Sequence, residues 1–213
     1  MNVLLLSDFG TKQARRHPEL KGLPMIGRGK FSAVYDNGDT VLHLTCDPVG
    51  YAMHCDGVMA IADQSKHFSQ VTNDYGQIGD QAYGDLNLYL YETEKLVKLR
   101  GNIQARRQAK QVMTQVSDIY DGMRMADLRA GLFNPASVMR QLANNPAHIE
   151  SLREAFSILE GFAPNYENAL LDMHAANFMV RPADGSLIIN DPFVDMRIWN
   201  EATTRLRDRE QAA

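Results

Sequence analysis

An α+β protein in two lobes is the architecture this sequence predicts: a β-rich N-terminal lobe over residues 1–94 and a short helical C-terminal lobe over residues 95–213. Three observations predict it. Before about residue 94, apolar residues alternate with polar ones in short runs, as in half-buried strands. From about Gln104 they recur every three or four residues, as on one face of a helix. Turn and cap residues such as Asn37-Gly38-Asp39, Asp47-Pro48 and Asn145-Pro146 separate the runs.

The first twenty residues read as a lead-in with basic residues at Lys12, Arg15 and Arg16. Met25 to Ser32 enters a glycine-rich loop. Asn37-Gly38-Asp39 predicts a hairpin joining Ala33-Val34-Tyr35 to Val41-Leu42-His43-Leu44. Asp47-Pro48 predicts a helix start, with Asp as N-cap and Pro in the first turn. Ala52, Cys55, Met59 and Ala62 follow at helical spacing. Residues 64–84 read as polar and irregular. Leu86 to Tyr91 alternates as a strand, and Glu92-Thr93-Glu94 reads as a connector.

In the second half, Val112, Val116, Ile119 and Met123 mark one helix face. Asn145-Pro146 opens another helix, with Ile149, Leu152, Phe156 and Leu159 on its buried face and Gly161 and Pro164 ending it. The Met-rich stretch from Met113 to Met139 reads as helical core. The charged tail after Trp199 reads as a frayed helix or disorder.

Composition narrows the function classes. With 45% hydrophobic and 23% charged residues, the chain is an ordinary globular sequence. Its net charge of −4 argues against a general binder of nucleic acid or anionic membrane. Its two cysteines, Cys46 and Cys55, suit a reducing compartment. Met1-Asn2-Val3-Leu4-Leu5-Leu6 is too short for a signal-peptide core, and no apolar run is long enough to span a bilayer. A soluble cytoplasmic protein is expected. His43, Cys46, His54 and Cys55 do not match zinc-finger spacing and read as core or surface residues.

Two blocks carry candidate chemistry. In Ile26-Gly27-Arg28-Gly29-Lys30-Phe31-Ser32-Ala33-Val34-Tyr35, glycines at 27 and 29 let the backbone approach a ligand closely, and Phe31 is placed to fold over the loop tip. Downstream, Asp172 and Asn177 stand in a D-x-x-x-x-N spacing. A strand, a turn and a second strand follow, then Asp191-Pro192-Phe193. Phosphoryl transfer needs clamped phosphates, hard oxygen ligands for magnesium and an oriented acceptor. Asn177 and Asp191 are the right types for magnesium, and Asp172 for the acceptor hydroxyl proton. Asp8-Phe9-Gly10 spells a magnesium motif, but it precedes the glycine loop and reads as a strand end and turn.

On Met25–Tyr35 (M-I-G-R-G-K-F-S-A-V-Y), Val41-Leu42-His43, Leu171–Met179 (L-D-M-H-A-A-N-F-M) and Ile189–Phe193 (I-N-D-P-F), the chain resembles the early Ser/Thr protein kinases of podophages that encode a single-subunit RNA polymerase. Residues 50–165 match only as a pattern of helices and strands. The resemblance implies a minimal two-lobed protein-kinase-like fold using ATP and magnesium. Asp172 and Asn177 would be catalytic, and Asn177 and Asp191 would hold the metal. Gly27, Arg28, Gly29, Lys30, Val34 and His43 would contact the nucleotide.

The resemblance also implies action in the host cytoplasm on host proteins such as RNA polymerase or RNA-processing enzymes; from the net charge of −4, no direct nucleic-acid or membrane contact is expected. Host transcription shut-off in such proteins goes with a further C-terminal region. Two departures stand out. His43 occupies the place of the third-strand lysine, and residues 47–63 hold no Glu to pair with one, Asp56 being the mid-helix acid. Either Lys30 or Arg28 serves the phosphates instead, or the protein is a pseudokinase that binds and inhibits a host protein. A small-molecule phosphotransferase would share the acids, but it needs C-terminal helices for which about twenty residues after Asp191 leave little room.

Overall fold

The computed structural model describes residues 17–80, 87–122 and 134–211 and is a mixed α+β protein. The expectations for the basic lead-in at Lys12, Arg15 and Arg16, for Asp8-Phe9-Gly10 and for Met123 lie outside the described residues. The chain forms two compact units. The sheet unit comprises the described residues of Met1–Ala60, Gln70–Lys95 and Val194–Ala213; the helical unit comprises those of Ile61–Ser69 and Leu96–Phe193. A single boundary at 94/95 therefore misses two segments, Ile61–Ser69 and the chain from Val194 on. Each packs in the unit opposite to its place in sequence.

The sheet unit is built on five antiparallel strands: β1 (Met25–Arg28), β2 (Ser32–Asn37), β3 (Thr40–Thr45), β4 (Val71–Asp80) and β5 (Asn87–Glu94), in the order β1-β2-β3-β5-β4. The expected hairpin joins β2 to β3, and Gly38 takes its left-handed conformation at φ 81°. Helix α1 (Pro48–Cys55) starts as predicted, with Asp47 Oδ1 accepting the Val49 N–H at 3.0 Å. It ends at Cys55, and Gly57 follows at φ 26°, so Met59 and Ala62 are not on it.

Two further expectations are corrected. Residues 71–80 form a strand, whose alternation is broken by three register shifts against β5. Glu92-Thr93-Glu94 continues β5, paired with both β3 and β4.

The helical unit contains β6 (Val97–Lys98), α2 (Ile103–Gly122), α3 (Pro135–Ala143) and α4 (Glu150–Phe162), followed by β7 (Ala169–Leu171), β8 (Phe178–Val180) and β9 (Leu187–Ile189). Helix α3 takes in Met139, the end of the stretch expected as helical core, but its start at Pro135 and its run to Ala143 are not among the expectations. It is capped by Asn134, whose Oδ1 accepts the Ala136 N–H, and it buries Val138, Met139 and Leu142. Helix α4 begins at Glu150, because Asn145 and Pro146 form a turn. Leu152, Phe156 and Leu159 are buried as expected, whereas Ile149, the N-cap, is 45% exposed. The helix runs through Gly161 and stops at Phe162, before Pro164.

Segment Ile61–Ser69 is held in the helical unit by a buried polar network. His67 Nδ1–H donates to Leu187 C=O at 2.6 Å, and its Nε2 accepts from Ser151 Oγ at 3.0 Å. Arg181 donates to the carbonyls of Lys66 at 2.7 Å and Phe68 at 2.9 Å.

The chain from Val194 closes the sheet unit. The charged tail is helix α5 (Met196–Gln211). Just before it, the buried Asp195 donates its N–H to Asp47 Oδ1 at 3.2 Å, and Arg197 grips the Asp195 carboxylate with Nη2–Oδ2 at 2.6 Å. Asp47 is 4% exposed; burial, and to a smaller degree the Asp195 charge, push its carboxyl up to about 7. The folded state therefore holds a proton that the unfolded chain loses near pH 4. Stability from this group is complete below pH 4 and is lost as pH rises towards 7. We expect the wild type, relative to Asp47→Asn, to lose up to about 1.4 kcal/mol per pH unit across that window in urea titrations.

Candidate functional site

The predicted residues fall into two groups, one in each unit. In the helical unit, β7 leads into Asp172 and the β8–β9 hairpin delivers Asp191. The link is the amide of Asn177, at the end of a 3-10 turn (Ala175–Asn177). Asn177 Nδ2 donates to Asp172 C=O at 2.6 Å and to Asp191 C=O at 2.7 Å, and lies 3.3 Å from Asp172 Oδ2. Asn190 N–H donates to Asn177 C=O, and Asp172 N–H to Pro192 C=O. Asp172, Asn177 and Asp191 thus form one cluster, all half-buried. Phe193, two residues past Asp191, is buried and stacks on Phe162 of α4 with centroids 5.8 Å apart.

The D-x-x-x-x-N spacing does not reveal two neighbours of Asp172. His174 Nδ1 accepts the Ala176 N–H at 3.3 Å, which leaves the ring proton on Nε2, 3.5 Å from Asp172 Oδ1. Tyr120 of α2 has its hydroxyl pushed up to about 12, by burial first and then by the Asp172 charge, so it stays protonated beside the carboxylate. His174 stood within the quoted motif; Tyr120 lies fifty-two residues upstream and carries no local signal.

The donor set suits a hard cation. With both Nδ2 hydrogens committed to carbonyls, the Asn177 amide has its oxygen left as acceptor, an orientation assigned from the hydrogen-bond network. Among the described residues no group of three or more His, Cys, Asp or Glu makes a self-sufficient metal cage. Magnesium needs none, because it takes one or two protein oxygens and completes its shell with phosphate and water.

In the sheet unit, β1 and β2 close a tight hairpin with the Gly29 N–H donating to Ser32 C=O at 2.8 Å. Neither Gly27 nor Gly29 has a positive φ. What glycine supplies is room: a Cβ on Gly29 would lie 3.2 Å from Ser32 Oγ. Val34 pairs with Gly27 across this hairpin and with His43 of β3 on its other side. Arg28 is exposed.

Phe31 is not a flap over the loop tip. It is 8% exposed, and its carbonyl accepts from Cys46 N at 3.0 Å and Thr45 Oγ1 at 3.2 Å. Its ring meets Trp199 of α5 edge-on at 6.1 Å, and Lys30 Nζ sits 3.7 Å above the same indole.

His43 lies in an aromatic column. Its ring stacks on Tyr91 at 4.8 Å, and Tyr91 stacks on His54 of α1 at 5.2 Å. His43 Nε2 is 2.9 Å from Thr93 Oγ1. Burial, with help from His54, lowers its pKa to about 3, so His43 is neutral at pH 7. Helix α1 ends at Cys55, so Asp56 is its C-cap and not a mid-helix acid.

No protein-family model and no curated protein matches this sequence. No helix among the described residues is long and apolar enough to cross a membrane.

His43 makes stability depend on pH with the opposite sign to Asp47. Its stabilisation is complete above pH 6.5 and is lost as pH falls towards 3, because the unfolded histidine takes a proton that the folded one refuses. We expect the wild type to lose up to about 1.4 kcal/mol per pH unit below 6.5 relative to His43→Leu, measured by denaturant unfolding.

Proposed function

We propose that the protein is an ATP- and magnesium-dependent Ser/Thr protein kinase with a protein-kinase-like fold, acting on host proteins in the cytoplasm of a phage-infected cell. The observation that carries this reading is the Asn177 amide, which joins the backbones of Asp172 and Asp191 in one oxygen-rich cluster. The glycine hairpin of the sheet unit and the likeness to early podophage kinases support it. Bound magnesium would neutralise phosphate charge and align the transferred group. Asn177 Oδ1 and the Asp191 carboxylate would hold it.

The remaining roles belong to the chain. Asp172 accepts the proton of the acceptor hydroxyl, and His174 Nε2–H, 3.5 Å from Asp172 Oδ1, orients the carboxylate. Gly27, Gly29 and Val34 would lie along the nucleotide, with Arg28 or Lys30 supplying the charge that neutral His43 does not.

We expect Asp191→Ala to abolish magnesium-dependent binding of ATP in calorimetry. Asp172→Ala should leave ATP affinity intact and slow phosphate transfer by about 10²–10⁴-fold. Equal transfer by wild type and both variants sinks the assignment.

A second reading, a pseudokinase that binds and blocks a host protein, is favoured by one observation. The column His43–Tyr91–His54 provides no cation at the third-strand position. Lys30 separates the two readings. Lys30 sits on Trp199, the only tryptophan in the chain, so its engagement by a phosphate would be read in the indole emission. In an active kinase, Mg-ATP should shift Trp199 emission, and Lys30→Ala should remove the shift while weakening ATP binding by about tenfold or more. In the pseudokinase, saturating Mg-ATP should leave the emission unchanged.

A further inference from the structure

We propose that the N-terminal half of helix α2 is a docking surface for a short acidic peptide segment of a partner protein. Between Lys95 and Ser117 the sequence has no Asp or Glu, in a chain whose net charge is −4. Lys98 and Arg100 precede the helix, and Arg106, Arg107 and Lys110 lie on it; all five are exposed. None of the five forms an ion pair with another described residue.

The helix sorts these side chains onto one face. Ala105, Ala109, Val112 and Val116 are buried. Ile103, Arg106, Arg107 and Lys110, at the i, i+3, i+4 and i+7 positions, point the opposite way. Ile103 is 60% exposed among the cations. The same face turns acidic at its other end, with Asp118 and Asp121. Cations near the N-terminus and acids near the C-terminus oppose the helix dipole, so the pattern does not serve helix stability.

The extent of the patch selects the partner. From Ile103 to Lys110 the stripe is about 10 Å long, roughly one Debye length at physiological salt. A nucleic-acid backbone continuing along the helix would run onto Asp118 and Asp121, and the stripe offers no aromatic ring for a base to stack on. A few consecutive Glu or Asp residues fit the length, and one neighbouring apolar residue would cover Ile103. The surface is separate from the Asp172 cluster and does not depend on phosphate transfer.

The test is fluorescence anisotropy without nucleotide, using a fluorescein-labelled hexaglutamate peptide carrying one leucine. A lysine counterpart and a labelled oligouridine of equal charge serve as comparators. The acidic peptide should bind and weaken as salt rises from about 50 to about 200 mM. Arg106→Glu/Arg107→Glu/Lys110→Glu should weaken it at least about tenfold, while Asp118→Asn/Asp121→Asn should not weaken it. The Gln triple variant at 106, 107 and 110 repeats the test if charge reversal disturbs folding, as judged by circular dichroism. Absence of peptide binding at low salt, equal binding by the triple variants, or tighter binding of the oligouridine overturns the proposal.

Discussion

One side-chain amide sets the geometry on which the candidate site depends. Asn177 has two N–H groups, and both are spent on backbone carbonyls, one five residues before it and one fourteen after it. A carboxylate in its place could not donate, and a serine could reach at most one of the two. Half-buried carbonyls left unpaired would cost on the order of 1–3 kcal/mol each. The side chain that pins the loop therefore also fixes which of its own atoms, Oδ1, is left to accept. Asp172 and Asp191 are tied to each other through their backbone carbonyls by this one side chain.

The sheet unit meets a different constraint. A lysine–glutamate pair between a strand and its covering helix must offset the desolvation of two charges. This chain places stacked rings there instead, with Tyr91 between His43 and His54. Stacked rings bury area without stranding a charge. The arrangement is self-consistent: α1 has acids only at its caps, Asp47 and Asp56, and none along its length to pair with a lysine at position 43.

Much of the local structure was legible because it rests on local chemistry. The Asn37-Gly38 turn, the Asp47-Pro48 cap and the Asp172–Asn177 spacing each act within a few residues. Strand β4 was hidden because its bulges erase the alternation that identifies a strand. The start of helix α3 goes unread although Asn134-Pro135 is a cap signal of the same kind as Asp47-Pro48. The mobile flap read into Phe31 failed for a non-local reason, since Trp199, far along the chain, covers it. The bond between Asp195 and Asp47, which spans 148 residues, leaves no trace in any window of sequence.

The crossing of segments between units bears on how the chain becomes folded. The sheet unit is not complete until residues from Val194 onward exist, and the helical unit needs Ile61–Ser69, which lies between α1 and β4. A ribosome releasing the first ninety-five residues would expose a chain whose Asp47 has no Asp195 and whose Phe68 and His67 have no Arg181 or Leu187. Neither unit has a contiguous stretch that closes its own core. Synthesis therefore supplies the last residue of the helical unit at Phe193, while the sheet unit still waits for the segment that begins at Val194.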